Sequence, residues 1–236
     1  MRITSWNVNS IRARLDRLVD YLATRQPDVL CLQETKCQDA QFPGVAILAR
    51  QPIEEPQLGL QDGVDDPQAR LIAATVNGVR VISAYAPNGQ RVGADAYAYK
   101  LAWYGRLRRY LDAHHAPAEW LVLTGDFNVA PEERDVHDPA GWQGSVLVSE
   151  PERQALRDLR AFGLVDTFRQ HHQEAGRYSW WDYRNLAFPR NAGLRIDHVL
   201  ATRPLAARCT AADIDREARK GQQPSDHAPV WAEFDV

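Results

Sequence analysis

The segment WLVLTGDFN, residues 120–128, joins a short apolar run to a polar exit and decides the fold. Residues 120–123 are apolar and few, which favours a buried strand. Gly125 ends this run, and alternation along an extended chain then places Asp126 and Asn128 on the same side. A carboxylate and a carboxamide at a strand end suit a metal-assisted hydrolytic site. A simple turn is the competing interpretation.

Length and composition favour a single domain spanning residues 1–236, of which 44% are hydrophobic. The three cysteines, Cys31, Cys37 and Cys209, are odd in number and form no CxxC pair, which argues against a disulfide framework. No signal peptide opens the chain, and no apolar run is long enough to span a membrane. We therefore expect a cytoplasmic protein with no membrane partner.

The formal net charge of −3 does not indicate a nucleic-acid partner, because such proteins usually present a basic surface. Between Arg177 and Lys220, however, basic residues outnumber acidic ones. An ordinary solvated surface explains this local excess. A site that concentrates carboxylates around a metal would also make the total charge misleading, so charge leaves the function class open.

Strands and helices follow one another in a pattern typical of an α/β fold. The helix that Ser10 caps is predicted to bury one apolar face. That face consists of Ile11, Leu15, Leu18, Val19 and Leu22. Further helices are predicted from Asp95 and between Ser149 and Phe162. Strands are predicted at residues 2–8, 28–32, 44–48, 71–76, 79–85, 120–123, 178–183, 195–201, 208–214 and 228–234. The pattern predicts two sheets packed face to face with helices outside.

Polar side chains stand at nearly every predicted strand exit. They are Asn7, Glu34, Tyr85, Asn88, Asp126, Asn128, Asp197, Asp226 and His227. Asp197 interrupts an apolar strand, where a carboxylate is costly unless it is paired or bound to a cation. An ion pair with Arg195 is therefore the alternative to a functional role. Carboxylates with waters and a phosphate match Mg²⁺ better than zinc, which prefers a cysteine and histidine cluster.

Six motifs occur in one order along almost the whole chain. They are SWNVNSIR (5–12), LQETK (32–36), AYAPNG (84–89), GDFN (125–128), GLRID (193–197) and SDHAP (225–229). With them the sequence resembles the exonuclease III family of DNA-repair nucleases, within the endonuclease/exonuclease/phosphatase superfamily. The resemblance implies a DNase I-like, four-layer α/β sandwich of two mixed sheets between helices. It also implies cleavage beside abasic sites and 3′→5′ removal of nucleotides from duplex DNA, with Mg²⁺ or Mn²⁺ as cofactor.

The resemblance assigns the metal and the attacking water to five of these residues. Glu34 is expected to hold the metal, with Asn7 in support and Asp226 close by. Asp126 is expected to take the proton of the attacking water, and Asn128 to orient that water.

A second group is expected to contact the scissile phosphate. His227 binds it in this scheme, and Asp197 holds the His227 ring in orientation. Tyr85 and Asn88 contact the same phosphate, and Arg91 is a candidate DNA contact from its loop position. These roles agree with the chemistry, because phosphodiester hydrolysis needs neutralised phosphate oxygens and an aligned water.

Three apolar residues match the family's pocket for a sugar that has lost its base. They are Trp180, Leu194 and Ile196. Such a pocket selects a flipped abasic sugar by steric exclusion of a normal nucleotide. The resemblance also implies a further helix and strand between Pro43 and Gly44, where this sequence passes directly into a strand. We expect this segment to be missing from the sequence in hand rather than from the protein, with true absence as the alternative.

The predicted partner is double-stranded DNA that carries abasic sites or 3′ ends, and the protein is expected to act as a monomer. One alternative is a phosphatase or phosphodiesterase of the same superfamily that acts on another phosphoester. A different alternative is a DNA-binding scaffold that has kept the fold and lost the chemistry.

Overall fold

The computed structural model describes residues 1–36, 44–64, 66 and 68–236. Its strands are β1 (Arg2–Asn7), β2 (Val29–Gln33), β3 (Val45–Ala49), β4 (Glu54–Leu58), β5 (Leu71–Val76), β6 (Val79–Tyr85), β7 (Leu121–Asp126), β8 (Leu164–Asp166), β9 (Asp197–Thr202), β10 (Cys209–Ile214) and β11 (Val230–Phe234). Its helices are α1 (Ile11–Arg25), α2 (Asp95–His114), α3 (Pro139–Trp142), α4 (Glu150–Arg160), α5 (Thr167–His171) and α6 (Arg203–Ala206). Short 3₁₀ turns cover Glu133–Asp135 and Arg216–Arg219.

The described strands form two mixed sheets, as predicted. The first sheet has the order β10-β11-β1-β2-β3, and the second has the order β4-β5-β6-β7-β9-β8. Each contains one parallel pair, β1 with β2 and β6 with β7, and its other pairs are antiparallel. In each parallel pair the carboxyl ends of both strands lie at the same edge, which is where the predicted site residues emerge.

Side chains at alternate strand positions fill the space between the sheets, and their polarity rises toward one end. The inward series are Ile3, Ser5 and Asn7 in β1, Val29, Cys31 and Gln33 in β2, Val81, Ser83 and Tyr85 in β6, and Val122, Thr124 and Asp126 in β7. The apolar members form the core between the sheets. Gln33 hydrogen-bonds to Ser5 and to Ser83 of the opposite sheet, at 3.0 and 3.1 Å. The space between the sheets therefore becomes a polar cleft at the carboxyl ends of the strands.

Helices cover the two outer faces and complete the four layers. Leu107 and Leu111 of α2 pack with Leu121 and Leu123 of β7 on the outside of the second sheet. On the outside of the first sheet, α1 buries Leu18 and Tyr21 against Trp6.

The predicted apolar face of α1 is partly wrong. Leu15 and Val19 are 51% and 57% exposed, while Tyr21 is buried. The helical phase breaks at Arg14, whose φ of −126° is not helical, so the remainder of α1 presents a different face to the sheet. While its backbone departs from helical geometry, the Arg14 guanidinium donates to Asn9 O at 2.5 Å and to Pro224 O at 3.2 Å.

The predicted strand at residues 178–183 is also wrong, because Trp180 makes only isolated bridges to Leu194 and His227 there. The predicted strand from Arg195 starts two residues later, at Asp197. The junction between Pro43 and Gly44 lies outside the described residues. In the described part of the chain, no helix combines the length and the apolar character that crossing a membrane requires.

Candidate active site

Asn7 links the two sheets at the polar end of the cleft. Its Nδ2 donates to Glu34 Oε1 and to Asp126 Oδ2, both at 2.9 Å, and the side chain has no exposed surface. Asn7 Oδ1 accepts from the Asn9 backbone N–H at 3.0 Å, which fixes the orientation of the amide. One carboxamide from β1 therefore holds two carboxylates that come from different sheets.

Glu34 presents its carboxylate to the cleft from the residue that follows β2. Its φ of 50° is a left-handed conformation, which costs a non-glycine residue about 1 kcal/mol or more and is typical of functional sites. Tyr85 Oη donates to Oε1 at 3.0 Å, and Lys36 Nζ lies 2.8 Å from Oε2. Burial opposes ionisation of Glu34, but hydrogen bonds from Asn7 and Lys36 outweigh it and lower its pKa. Glu34 is therefore anionic at neutral pH.

Asp126, His227 and Asp197 form a buried chain of charges. His227 Nδ1 lies 2.9 and 3.1 Å from the two Asp197 oxygens, and its Nε2 lies 3.7 Å from Asp126 Oδ2. Ser179 Oγ donates to Asp197 at 2.6 Å and accepts the Ile196 and Asp197 backbone N–H groups, which fixes the carboxylate. Asp197 therefore holds the His227 ring in orientation through Nδ1.

The pKa values of Asp126 and His227 are both raised. Burial raises the pKa of Asp126 to about 7, with the His227 charge opposing and the Asp197 charge adding to the effect. Burial disfavours a charged His227, yet the Asp197 and Asp126 carboxylates raise its pKa to about 10. At neutral pH the ring is an imidazolium beside a carboxyl group close to its titration point. This pairing suits a proton acceptor next to a site for a phosphate anion.

The donor set fits a hard divalent cation. One ligand atom each from Glu34, Asp126 and His227 lie within 4.8 Å of one another. Because a protonated His227 ring has no free lone pair, the two carboxylates are the ligands that this group offers to a cation. Carboxylates with the neighbouring Asn7 carboxamide favour Mg²⁺-like ions over zinc. Asp226 is adjacent but occupied, because its oxygens accept from Asn9 Nδ2 at 2.9 Å and Trp180 Nε1 at 3.1 Å. It belongs to the same network through Asn9, whose backbone N–H binds Asn7.

The alternative role for Asp197, an ion pair with Arg195, does not occur. Arg195 Nε binds Asp135 Oδ1 at 2.6 Å, and its Nη2 binds Asp166 Oδ2 at 2.8 Å. Its Nη1 donates to His198 Nδ1 at 3.1 Å, so Arg195 serves a separate buried network behind the site.

A model of the endonuclease/exonuclease/phosphatase family matches residues 4–227. The chain belongs to this family. Exodeoxyribonuclease III of Haemophilus influenzae is 33% identical over 99% of this chain and 100% of its own length. Two solved structures each superpose on this chain with a TM-score of 0.95, and each superposition covers 100% of this chain and 100% of the other protein's chain. One is a 3′ phosphatase from Neisseria bound to a product DNA hairpin, at 40% identity, and the other is an AP endonuclease from Archaeoglobus fulgidus, at 37%.

Asn88 and Asn128 lie together beside Asp126. The Asn128 backbone N–H donates to Asp126 Oδ1 at 2.9 Å, and Asn88 Nδ2 donates to Asn128 Oδ1 at 3.1 Å. Asn128 has a φ of 52°, which asparagine tolerates better than most residues. Arg91 lies exposed in the loop after Asn88.

Lys100 supports these two asparagines and was not predicted from the sequence. Its Nζ donates to Asn128 O at 2.7 Å, to Asn88 O at 3.1 Å and to Glu152, with which it forms a fully buried ion pair. These three acceptors use all three protons of the ammonium group. The available signal was its position in the otherwise apolar stripe of α2, between Tyr97 and Tyr104.

The three predicted pocket residues are unevenly exposed. Leu194 and Ile196 are 0% and 1% exposed and belong to an apolar cluster that also contains Val136 and Leu147. Trp180 is half-buried and packs against this cluster, and its ring N–H binds Asp226. The structure therefore places the three side chains together, with Trp180 nearest to the solvent.

Proposed function

We propose that this protein is an exonuclease III-like DNA-repair hydrolase that cuts phosphodiesters beside abasic sites and removes nucleotides 3′→5′ from duplex DNA. The observation that carries the proposal is the placement of Asp126, which shares the Asn7 amide with Glu34 and lies 3.7 Å from His227. Full-length similarity to an exodeoxyribonuclease III and to a solved AP endonuclease supports this choice of reaction.

Mg²⁺ is the proposed cofactor, with Mn²⁺ as a substitute. Glu34 holds it, Asn7 supports Glu34, and Asp226 contributes from the adjoining network. When bound, the ion neutralises charge on the phosphate oxygens. The low pKa of Glu34 keeps this ligand anionic across the neutral range.

The protein's own groups supply proton transfer and alignment. Asp126 accepts the proton of the attacking water, for which a pKa near the working pH is favourable. Asn128 orients that water. The His227 imidazolium, which Asp197 holds in place, binds the scissile phosphate.

Further contacts select the substrate. Burial raises the pKa of Tyr85, which therefore remains a phenol and can donate to the phosphate together with Asn88. Trp180, Leu194 and Ile196 receive the sugar that lacks a base, and this step requires the apolar cluster around them to open. Arg91 contacts the DNA backbone. The active form is a cytoplasmic monomer acting on double-stranded DNA with abasic sites or 3′ ends.

The test compares the Asp126→Asn and Glu34→Ala variants with the unmodified protein. Each is incubated with abasic-site duplex, plain duplex and inositol phosphates, with and without Mg²⁺. We expect cleavage of DNA only with the metal, and a loss of about 10²–10⁴-fold for Asp126→Asn, the usual contribution of a general base. Asp112→Asn, an exposed carboxylate paired with Arg108 on α2, is the matched control and should retain full activity.

The pH profile adds a second measurement. Because Asp126 must be deprotonated to accept a proton, the metal-supported rate should decline as the pH falls below about 7. A bound cation would lower the pKa of Asp126 and move this decline to a more acidic pH. Hydrolysis of inositol phosphates alone would assign the protein to another branch of the superfamily. Unchanged DNA turnover by Asp126→Asn would contradict the proposed mechanism, and DNA binding without any turnover would favour a scaffold.

A further inference from the structure

Arg219 differs from the other buried basic side chains of the described residues. These are Lys100, Arg169, Arg195 and Arg219. The first three each form an ion pair with a buried carboxylate. Arg219 is 6% exposed and makes no hydrogen bond or ion pair to any residue that the structure describes. Burying a charged group without a partner is costly, so this position requires an explanation.

Two aromatic rings hold the Arg219 guanidinium in place. Its central carbon lies 5.2 Å from the Tyr183 ring centroid and 5.0 Å from that of Phe188. Nε is fully enclosed, whereas the two terminal nitrogens keep the accessible surface. The group is therefore fixed with its outer edge toward solvent, which is the edge that binds a phosphate in bidentate fashion.

The neighbouring arginines are already used by the protein. Arg17 donates to three backbone carbonyls, those of Ala218, Lys220 and Gln222, at 2.5–2.7 Å. Arg14 donates to Pro224 O and to the Tyr183 hydroxyl, at 3.2 and 2.9 Å. These contacts order the segment that carries Arg219 and leave its own donors free.

Arg219 lies beside the proposed active site. Tyr183 Oη donates at 2.9 Å to Pro224 O, two residues before Asp226. Arg14, which also donates to Pro224 O, donates to Asn9 O at 2.5 Å, and Asn9 Nδ2 binds Asp226. A single aromatic ring therefore separates the unpaired guanidinium from the segment that brings Asp226 and His227 to the cleft.

We propose that Arg219 is a phosphate-binding residue for the DNA backbone, contacting a phosphodiester that flanks the one being cut. This inference rests on the proposed function, because it assigns a further contact to the same substrate. The cost of burying the unpaired charge is offset when the phosphate neutralises it. Preordering by Tyr183 and Phe188 lowers the conformational entropy lost on binding.

The test is Arg219→Met, which keeps the volume and removes the charge. Duplex affinity is measured by fluorescence anisotropy at several salt concentrations, in the Asp126→Asn background so that bound DNA survives. We expect about tenfold weaker binding, the size of one lost charge-assisted contact. The slope of log affinity against log salt should become shallower by about 0.9. The melting temperature should stay equal or rise, because an unpaired buried charge has been replaced by an apolar chain.

Arg208→Met is the matched control, since Arg208 precedes β10 at the opposite end of the first sheet and pairs with exposed Asp235. It should leave both affinity and salt slope unchanged. In the otherwise unmodified enzyme, Arg219→Met should raise KM for duplex by a similar factor with a much smaller change in kcat. Failure of the unmodified protein to cleave DNA would refute the proposed function instead, so the two failures are distinguishable.

Unchanged affinity with a lowered melting temperature would make Arg219 a packing residue and overturn the inference. If Arg219→Met does not fold, Arg219→Lys takes its place. Lysine keeps the charge but lacks the planar guanidinium that can donate two parallel hydrogen bonds to one phosphate. Reduced affinity at an unchanged salt slope would therefore support phosphate binding. Wild-type affinity would overturn bidentate binding. Stabilisation by inorganic phosphate that depends on Arg219, without any effect on duplex affinity, would assign a small anion and overturn the DNA contact.

Discussion

Lys100→Met is the most informative single substitution behind the cleft. Methionine preserves most of the side-chain volume but removes the ammonium that binds the Asn88 and Asn128 carbonyls. Burial lowers the pKa of Lys100, and the Glu152 charge opposes that effect, so the lysine depends on its partner. Glu152 is left with hydrogen bonds from the Leu147 N–H at 3.0 Å, the Ser149 N–H at 3.1 Å and the Ser149 hydroxyl.

Both side chains of this pair have no exposed surface, so the substitution leaves a fully buried carboxylate without its cation. Removing one partner of a buried pair costs about 3–5 kcal/mol. For a chain of this size each kcal/mol lowers the melting temperature by about 2–4 °C, which gives a fall of about 6–20 °C. The double variant Lys100→Met/Glu152→Gln removes both charges and should recover most of this loss.

Activity should respond differently from stability. In the double variant no cation holds the Asn88 and Asn128 carbonyls, so the two carboxamides are less well placed for water and phosphate. We expect kcat on abasic-site duplex to stay about tenfold or more below that of the unmodified protein, because small misplacements of reacting groups are costly. Urea unfolding and single-turnover cleavage measure the two effects. Arg106→Met is the control on the same helix: it breaks ion pairs with Asp62 and Asp66, which lie between β4 and β5, and should spare kcat.

Two results would refute this reasoning. Recovery of both stability and kcat in the double variant would show that Lys100 only compensates Glu152. An unchanged melting temperature for Lys100→Met alone would show that the buried pair does not have the energetic weight assigned to it.

Two further predictions concern stability. The buried Asp166 has a pKa of about 2 against an ordinary 3.8, because Arg195 and His198 outweigh the cost of burial. The ionised Asp166 contributes about 2 kcal/mol to the free energy of unfolding, which is fully present above pH 3.8 and lost as the pH falls toward 2. In urea unfolding, the stability of Asp166→Asn should therefore depend less on pH in this range than that of the unmodified protein. Gly125→Ala should unfold the protein or reduce its soluble yield, because a Cβ there would lie 1.8 Å from Ala84 O. Gly105→Ala is the control, because a Cβ at this helical position would meet only Arg109 Nη1, at 3.6 Å, and the change should stabilise the protein by up to about 1 kcal/mol. A Gly125→Ala protein that folds with normal stability would contradict the argument.

Local patterns were sufficient to predict the strands that carry the site. A strand of period two followed by a polar exit depends only on neighbouring residues, so Asn7, Asp126 and the strands at residues 71–76 and 79–85 could be predicted from a few positions each. The convergence of the site residues follows, because the carboxyl ends of the two strands in each parallel pair meet at one edge. His227 next to Asp197 required the family resemblance, since 30 residues separate them.

Contacts between distant segments decide the features that the sequence did not reveal. Lys100 lies in an apolar stripe of α2, and only the fold shows that its charge meets Glu152 and the Asn128 carbonyl. The buried face of α1 was mispredicted because Arg14 interrupts the helical period to bind the chain near Pro224. The aromatic run at residues 178–183 has strand composition, yet Ser179 and Trp180 are used to bind Asp197 and Asp226.

The Asn7 amide has a consequence for how this molecule gains and loses activity. Its two hydrogen bonds end on Glu34 of the first sheet and Asp126 of the second, so neither sheet alone contains the whole proposed catalytic unit. Heat or denaturant that separates the two sheets should therefore abolish turnover. The turnover that remains would measure the fraction of molecules in which the two sheets are still packed together. Selection for catalysis therefore reaches apolar residues such as Val79 and Phe234, which never approach a substrate but keep the sheets in contact.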